Sequence, residues 1–231
     1  MAGYFVTGTD TGVGKTLVSC ALLHRLAQTG LSVIGMKPVA AGCVETDRGF
    51  VNDDVAELTA ASSVQAPAEW VNPYLFRAPI APHIAAAEDG RVIDLARIRV
   101  AFEQLSRLAD AVVVEGAGGF CVPLTDEQDT ADLAEMLGLP VILVVGMRLG
   151  CLNHSLLTQQ AILRRGLHLT GWIANCITAE MPRLDANIDA LRERIGAPLL
   201  ATVPFMGNPD GGTVAFHLLP AQRIGPLSRF L

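Results

Sequence analysis

Neither a C-x-x-C nor an H-x-x-x-H pair occurs among the five cysteines and five histidines. A zinc knuckle is therefore not expected, nor is a metal site built from protein nitrogens. The cysteines, at positions 20, 43, 121, 151 and 176, are odd in number and scattered. They suggest no disulfide framework and read as small buried hydrophobes of a reducing compartment. Positive charge is scarce: 17 Lys and Arg stand against 23 Asp and Glu, for a net charge of -6. That balance argues against a broad nucleic-acid or anionic-membrane surface. Long apolar runs are missing as well. The densest, "LPVILVVG" at 139–146, is far too short to span a bilayer. The opening "MAGYFVTG" has no basic n-region, no signal-length apolar stretch and no Arg-rich amphipathic pattern, so the expected compartment is the cytoplasm. No internal repeat or low-complexity linker interrupts the chain.

What is present is a 231-residue chain that is 51% hydrophobic, enough to bury one sizeable core. One domain over 1–231 is the expectation. Short apolar runs at 4–8, 32–39, 111–114, 140–146, 169–176 and 197–204 read as strands. Helical periodicity appears at 14–29, 53–61, 94–109, 129–138, 153–165 and 183–195. Apolar strands alternating with helices imply an α/β fold with a mostly parallel central sheet and helices on both faces. Such sheets bind ligands beyond the carboxyl ends of their strands. The segment after Pro204 reads as loop.

The first strand runs into "GTDTGVGKT", 8–16. A phosphate-binding loop places four residues between its glycines. Here five separate Gly8 from Gly14, and Thr9 stands where the first glycine would be. The strand–loop–helix context nevertheless fits a P-loop. Gly12 and Gly14 let successive N–H groups turn inward, and the following helix adds its N-terminal dipole. Lys15 can bridge phosphates and Thr16 can ligate Mg²⁺. The next residue, Leu17, is assigned no part in the site. Glu115 ends an apolar strand and opens "EGAGG", the position of a metal-binding acid. Asp53 and Asp54 open a helix; one suits an N-cap and leaves the other for metal. Lys37 lies in the apolar "GMKPV", where an ammonium calls for an anion. Asn175 ends "GWIANC", where its amide can both donate to and accept from an adenine edge.

Together these segments resemble the dethiobiotin synthetase family, with further matches in "KPVAAG", "VNPYLFRAPIAPHIAA", "VVEGAGGFCVPL", "LPVILVVGMRLGCLNHSLLT" and "APLLATVP". The family's loop carries the same extra residue. The resemblance implies a P-loop NTPase-like homodimer that uses ATP and Mg²⁺ to close the ureido ring of dethiobiotin from 7,8-diaminopelargonic acid and CO₂. It implies catalytic roles for Lys37, Lys15 and Thr11, and ATP binding by Gly12, Val13, Gly14, Lys15, Thr16, Asn175 and Pro204. It assigns Mg²⁺ to Thr16, Asp54 and Glu115. Substrate binding falls to Lys37 and Ala41, and to Gly150, Cys151, Leu152 and Asn153, whose free N–H groups would receive a carboxylate across the dimer interface. Three positions depart from some members: Ala41 replaces a serine, Gly12 an acid, and Asn187 an aromatic.

A rival reading is a ParA/MinD-like ATPase switch, which shares a related loop, "KGGVGKT". Here Asp10 stands where the signature lysine of that group would be, which counts against it.

Overall fold

The computed structural model describes residues 2–47, 49–207, 209–215, 217 and 218. In chain order the elements are β1 (Ala2–Gly8), α1 (Lys15–Ala27), β2 (Val33–Met36), β3 (Val39–Ala41), β4 (Val44–Thr46), β5 (Gly49–Val51), α2 (Asp53–Ala61), α3 (Ala68–Val71), β6 (Tyr74–Phe76), α4 (Pro82–Glu88), α5 (Leu95–Leu108), β7 (Ala111–Glu115), α6 (Thr130–Leu137), β8 (Val141–Gly146), α7 (Cys151–Arg164), β9 (Leu169–Asn175), α8 (Leu184–Arg194), β10 (Leu199–Val203) and α9 (Gly211–Ala215).

Six strands form one parallel sheet in the order β10-β9-β8-β1-β7-β2. Strands β7 and β8 are wholly buried, as their unbroken apolar runs require when helices cover both faces. One face carries the core of α1, α2 and α9, including Leu22, Leu23, Leu26 and Leu58. The other carries that of α3 to α8, including Phe5, Ile98, Phe102 and Trp172. The chain leaves β1 in the middle of the sheet, with β7 on one side and β8 on the other. That is a topological switch point, where the strand ends open a crevice.

The structure differs from the sequence reading in several places. The run 32–39 is two strands, not one. β2 ends before Lys37-Pro38, since proline has no N–H for a ladder, and β3 then pairs with β6 in a separate two-stranded sheet. The hairpin of β4 and β5 adds two strands that the apolar pattern does not signal. Helix α7 begins at Cys151 rather than Asn153, because Gly150 takes the left-handed φ of 97° and serves as its N-cap. The segment after Pro204 is not all loop: α9 lies within it, and the rest of that tail falls largely outside the described residues. All five cysteines are free, as expected, but Cys121 is exposed and Cys43 half-buried. Among the described residues no helix is long and apolar enough to cross a membrane.

Candidate active site

A cavity of about 720 Å³ opens at the carboxyl ends of β1, β3 and β7. Its lining includes Thr11, Gly12, Gly14, Lys15, Thr16, Lys37, Ala41, Asp54 and Glu115, nine of the residues singled out from sequence. Each arrives by a local device. Gly14, at φ 87°, ends the loop and caps α1, so Lys15 and Thr16 start that helix facing the crevice. The cavity-lining stretch stops there. The half-buried side chain of Leu17 packs against the core of α1, α2 and α9 instead of lining the cavity. Lys37 is fixed through its backbone: its N–H donates to Val71 O at 2.9 Å, and its carbonyl accepts from Asn72 Nδ2 at 2.6 Å. Asp54 sits in the first turn of α2. The N-cap there is Asn52, not an aspartate: its side chain accepts from Val55 N at 3.2 Å. Asn52 Nδ2 also donates to Gly42 O at 2.6 Å. That bond ties together the two ends of the excursion that holds β4 and β5.

Thr16, Lys37, Asp54 and Glu115 meet in this cavity, and Lys15 lines it beside them. The Thr16 hydroxyl lies 2.9 Å from Asp54 Oδ1 and 2.9 Å from Glu115 Oε1. The buried Lys37 ammonium pairs with Asp54 Oδ2 at 2.7 Å and with Glu115 Oε1. Burial alone would push the Lys37 amine down, but the charges of Glu115 and Asp54 outweigh it and hold the ammonium above its usual range. Burial likewise opposes ionisation of Asp54, and Lys37 overrides it to keep that carboxyl below its usual range. The anion that Lys37 calls for is thus supplied here by the protein's own acids.

Lys15 behaves differently. Its ammonium donates to the Asp10 carbonyl at 3.0 Å. Burial, then repulsion from Lys37, lowers its pKa from 10.5 to about 8. Lys15 is therefore the more readily deprotonated of the two.

The oxygens around Thr16 fit a cation. One hydroxyl proton cannot serve both carboxylates that face it. Glu115 Oε2 is buried with no hydrogen-bond partner among the described residues. Two carboxylates and a hydroxyl are the hard oxygen donors that Mg²⁺ prefers, usually with waters and substrate phosphates completing the shell. No cluster of three His, Cys, Asp or Glu residues able to hold a metal occurs among the described residues, so the hydroxyl is needed to complete this set.

Other expected residues lie elsewhere. Val13 is buried behind the loop. Asn175 is buried at the end of β9 and donates from Nδ2 to Val13 O at 2.9 Å. Pro204 follows β10 and is exposed. Gly150, Cys151, Leu152 and Asn153 are absent from the cavity lining. Their N–H groups are not all free, either: Cys151 N donates to Arg148 O at 3.0 Å. Asn187 donates to Arg183 O, the residue that caps its own helix, at 2.8 Å. Sequence reading missed the cavity's apolar wall: Val39, Pro79, Ile80, Ala81, Pro82, Ala117, Gly118 and Val122. The prolines flanking Ile80 and Ala81 signalled a turn, but nothing local placed that turn over the phosphate loop.

A family model described as an AAA domain matches residues 2–210. In solved structures the fold is shared with the MinD cell division protein of Aquifex aeolicus, at TM-score 0.58 and 16% identity over 97% of this chain and 94% of that one. It is also shared with the septum site-determining protein MinD complexed with Mg-ADP from Pyrococcus horikoshii, at TM-score 0.54 and 18% identity over 97% and 89%. Identities this low speak for the fold alone. Sequence relatives are far nearer. The ATP-dependent dethiobiotin synthetase BioD of Aromatoleum aromaticum is 58% identical over 93% of this chain and 96% of its own length. That of Nitrosospira multiformis is 53% identical over 96% of each. With the loop, both lysines and both acids gathered at one cavity, the chain belongs to the ATP-dependent dethiobiotin synthetase family.

Proposed function

We propose that the chain, acting as one ligase domain over 1–231, closes the ureido ring of dethiobiotin from 7,8-diaminopelargonic acid and CO₂, converting ATP to ADP and phosphate. The observation that carries this reading is the meeting of Lys15, Thr16, Lys37, Asp54 and Glu115 around one cavity. One amine of the substrate adds to CO₂ and loses a proton, giving a carbamate. A carbamate oxygen attacks the γ-phosphorus and ADP departs, leaving a carbamic–phosphoric anhydride. The second amine then attacks the carbonyl carbon, phosphate leaves, and a proton is lost as the ring closes. The chain's part is positioning and charge neutralisation. Lys37, held protonated by its acids, acts as a fixed charge beside the carbamate rather than as a base. Lys15 leaves the Asp10 carbonyl to meet the phosphates. Thr16, Asp54 and Glu115 would hold Mg²⁺, which when bound neutralises phosphate charge. Asn175 has a second amide hydrogen and an oxygen to offer adenine. The apolar wall of Val39, Pro79, Ile80 and Val122 suits an aliphatic chain.

Phosphate release should be slow with ATP, Mg²⁺ and bicarbonate, and should rise strongly when diaminopelargonate is added. Equal rates with and without the diamine would sink the assignment.

We place the substrate carboxylate on the 150–153 turn of a second copy of the chain. The turn lies off the single-chain cavity, and Leu149, which is 96% exposed, stands just before it. A homodimer contact here would cover that side chain and bring the turn to a second cavity. The N–H groups of Leu152 and Asn153, at a helix N-terminus, suit an anion. Mixing Lys15→Ala protein with Leu152→Pro protein should restore about a quarter of wild-type activity, since half the random dimers carry one intact site. No recovery, with subunit exchange demonstrated, would assign the whole site to one chain. The cytoplasm, which supplies ATP and keeps thiols reduced, is the compartment we assign. A native disulfide in protein isolated from cells with its thiols trapped would contradict that assignment.

A further inference from the structure

The Asn175 amide is held to the phosphate loop itself, and this gives it a task that has nothing to do with adenine. Its Nδ2 donates to Val13 O at 2.9 Å inside the protein, and the residue is only 5% exposed. Because the bond partner is a carbonyl, the amide nitrogen, and not the oxygen, must face the loop. The Asn175 backbone is fixed as well. Its carbonyl accepts from Met147 N at 2.8 Å, and its Cα is in register with both Gly146 and Val203. On the loop side, the Val13 side chain is wedged between strands. A Cβ at Gly8 would lie 2.6 Å from Val13 Cγ2, and one at Gly146 would lie 2.8 Å from Val13 Cγ1. With that side chain held in place, the Val13 carbonyl points to Asn175.

A trans peptide is planar, and its C=O and N–H point to opposite sides. Drawing Val13 O back toward β9 turns the Gly14 N–H outward. Gly14 lines the cavity beside Gly12 and Lys15, so that outward direction is the phosphate side. Asn175 also fills the space next to Gly14, where a Cβ would come 2.2 Å from Nδ2. We infer that Asn175 is a positioning residue of the phosphate loop, aiming the Gly14 N–H at the nucleotide's phosphates whatever base that nucleotide carries.

The inference rests on the proposed ATP site, and inorganic tripolyphosphate separates the two. This probe has phosphates but neither base nor ribose. Its dissociation constant should be measured by calorimetry with Mg²⁺, alongside that of ATP, in the wild type, Asn175→Ala and Asn175→Leu. The leucine has the same branched heavy-atom skeleton with neither donor nor charge, so it removes the bond to Val13 O without leaving a cavity or adding repulsion, and thermal unfolding checks that each variant compared is folded. Tripolyphosphate affinity should fall tenfold or more in both variants. Loss of ATP affinity with unchanged tripolyphosphate affinity would leave Asn175 as a base reader and overturn the inference. A wild type that binds neither ligand would overturn the ATP site on which it rests.

Discussion

Lys37→Ala is expected to lower kcat about a hundredfold and, without Mg²⁺, to destabilise the fold by about 3–5 kcal/mol. The kinetic loss follows from the site proposed above, in which Lys37 is a fixed positive charge beside the carbamate and the moving phosphoryl group. The stability loss follows from the partners left behind. Glu115 is 1% exposed, and its carboxylate would keep the Thr16 hydroxyl but no cation. Removing one partner of a buried ion pair is costly because the other stays charged in a poor solvent. Mg²⁺ on the same oxygens would replace the lost charge. Thermal unfolding should therefore show a larger Mg²⁺-induced rise in Tm for Lys37→Ala than for the wild type. A variant as stable as the parent without Mg²⁺ would refute the pairing, and full turnover would remove Lys37 from the chemistry.

Lys15→Ala should match the kinetic loss, about a hundredfold in kcat, without the structural one. Its ammonium is desolvated, repelled by Lys37 and bound to a neutral carbonyl, so the folded state gains little by keeping it charged. The sign follows from linkage. With its pKa lowered to about 8 from 10.5, Lys15 burdens the fold below pH 8, and that burden is relieved as pH rises from about 8 to 10.5. Near neutral pH the variant should be at least as stable as the wild type. Above pH 8, ATP binding to the wild type should take up a proton as phosphate recharges the amine. Calorimetry at pH 9 in two buffers of different ionisation heat measures that uptake. The same uptake in Lys15→Ala would assign the proton to another group.

The contrast between these lysines marks where sequence stops being informative. Both could be read as cationic neighbours of phosphate, since one follows a glycine loop and the other interrupts an apolar run. Their different partners could not, because Lys37 meets Glu115 across 78 positions of chain. The parallel sheet was legible because each strand carries its own apolar signal. The small β3–β6 sheet was not, since three-residue strands carry almost no periodicity and Pro38 hides the break. Asn52 was passed over for the acids beside it, although asparagine caps helices as well as aspartate does. α9 escaped because "PDGG" reads as a turn. Asp210 starts this helix by accepting Thr213 N at 2.7 Å, and Gly211 is required because a Cβ there would lie 2.4 Å from that of Cys20 on α1.

The Asn52–Gly42 bond has a consequence for how this protein can change over time. With both ends of the 43–51 excursion tied, its length is uncoupled from the spacing between Ala41 and Asp54. Doubling such a loop costs only about 0.6 kcal/mol in closure entropy. Insertions, deletions and drift can therefore accumulate between Cys43 and Val51 while the residues on either side stay in place. The same tolerance makes the hairpin a graft point for a fluorescent or affinity label, attached close to a wall of the cavity yet outside it.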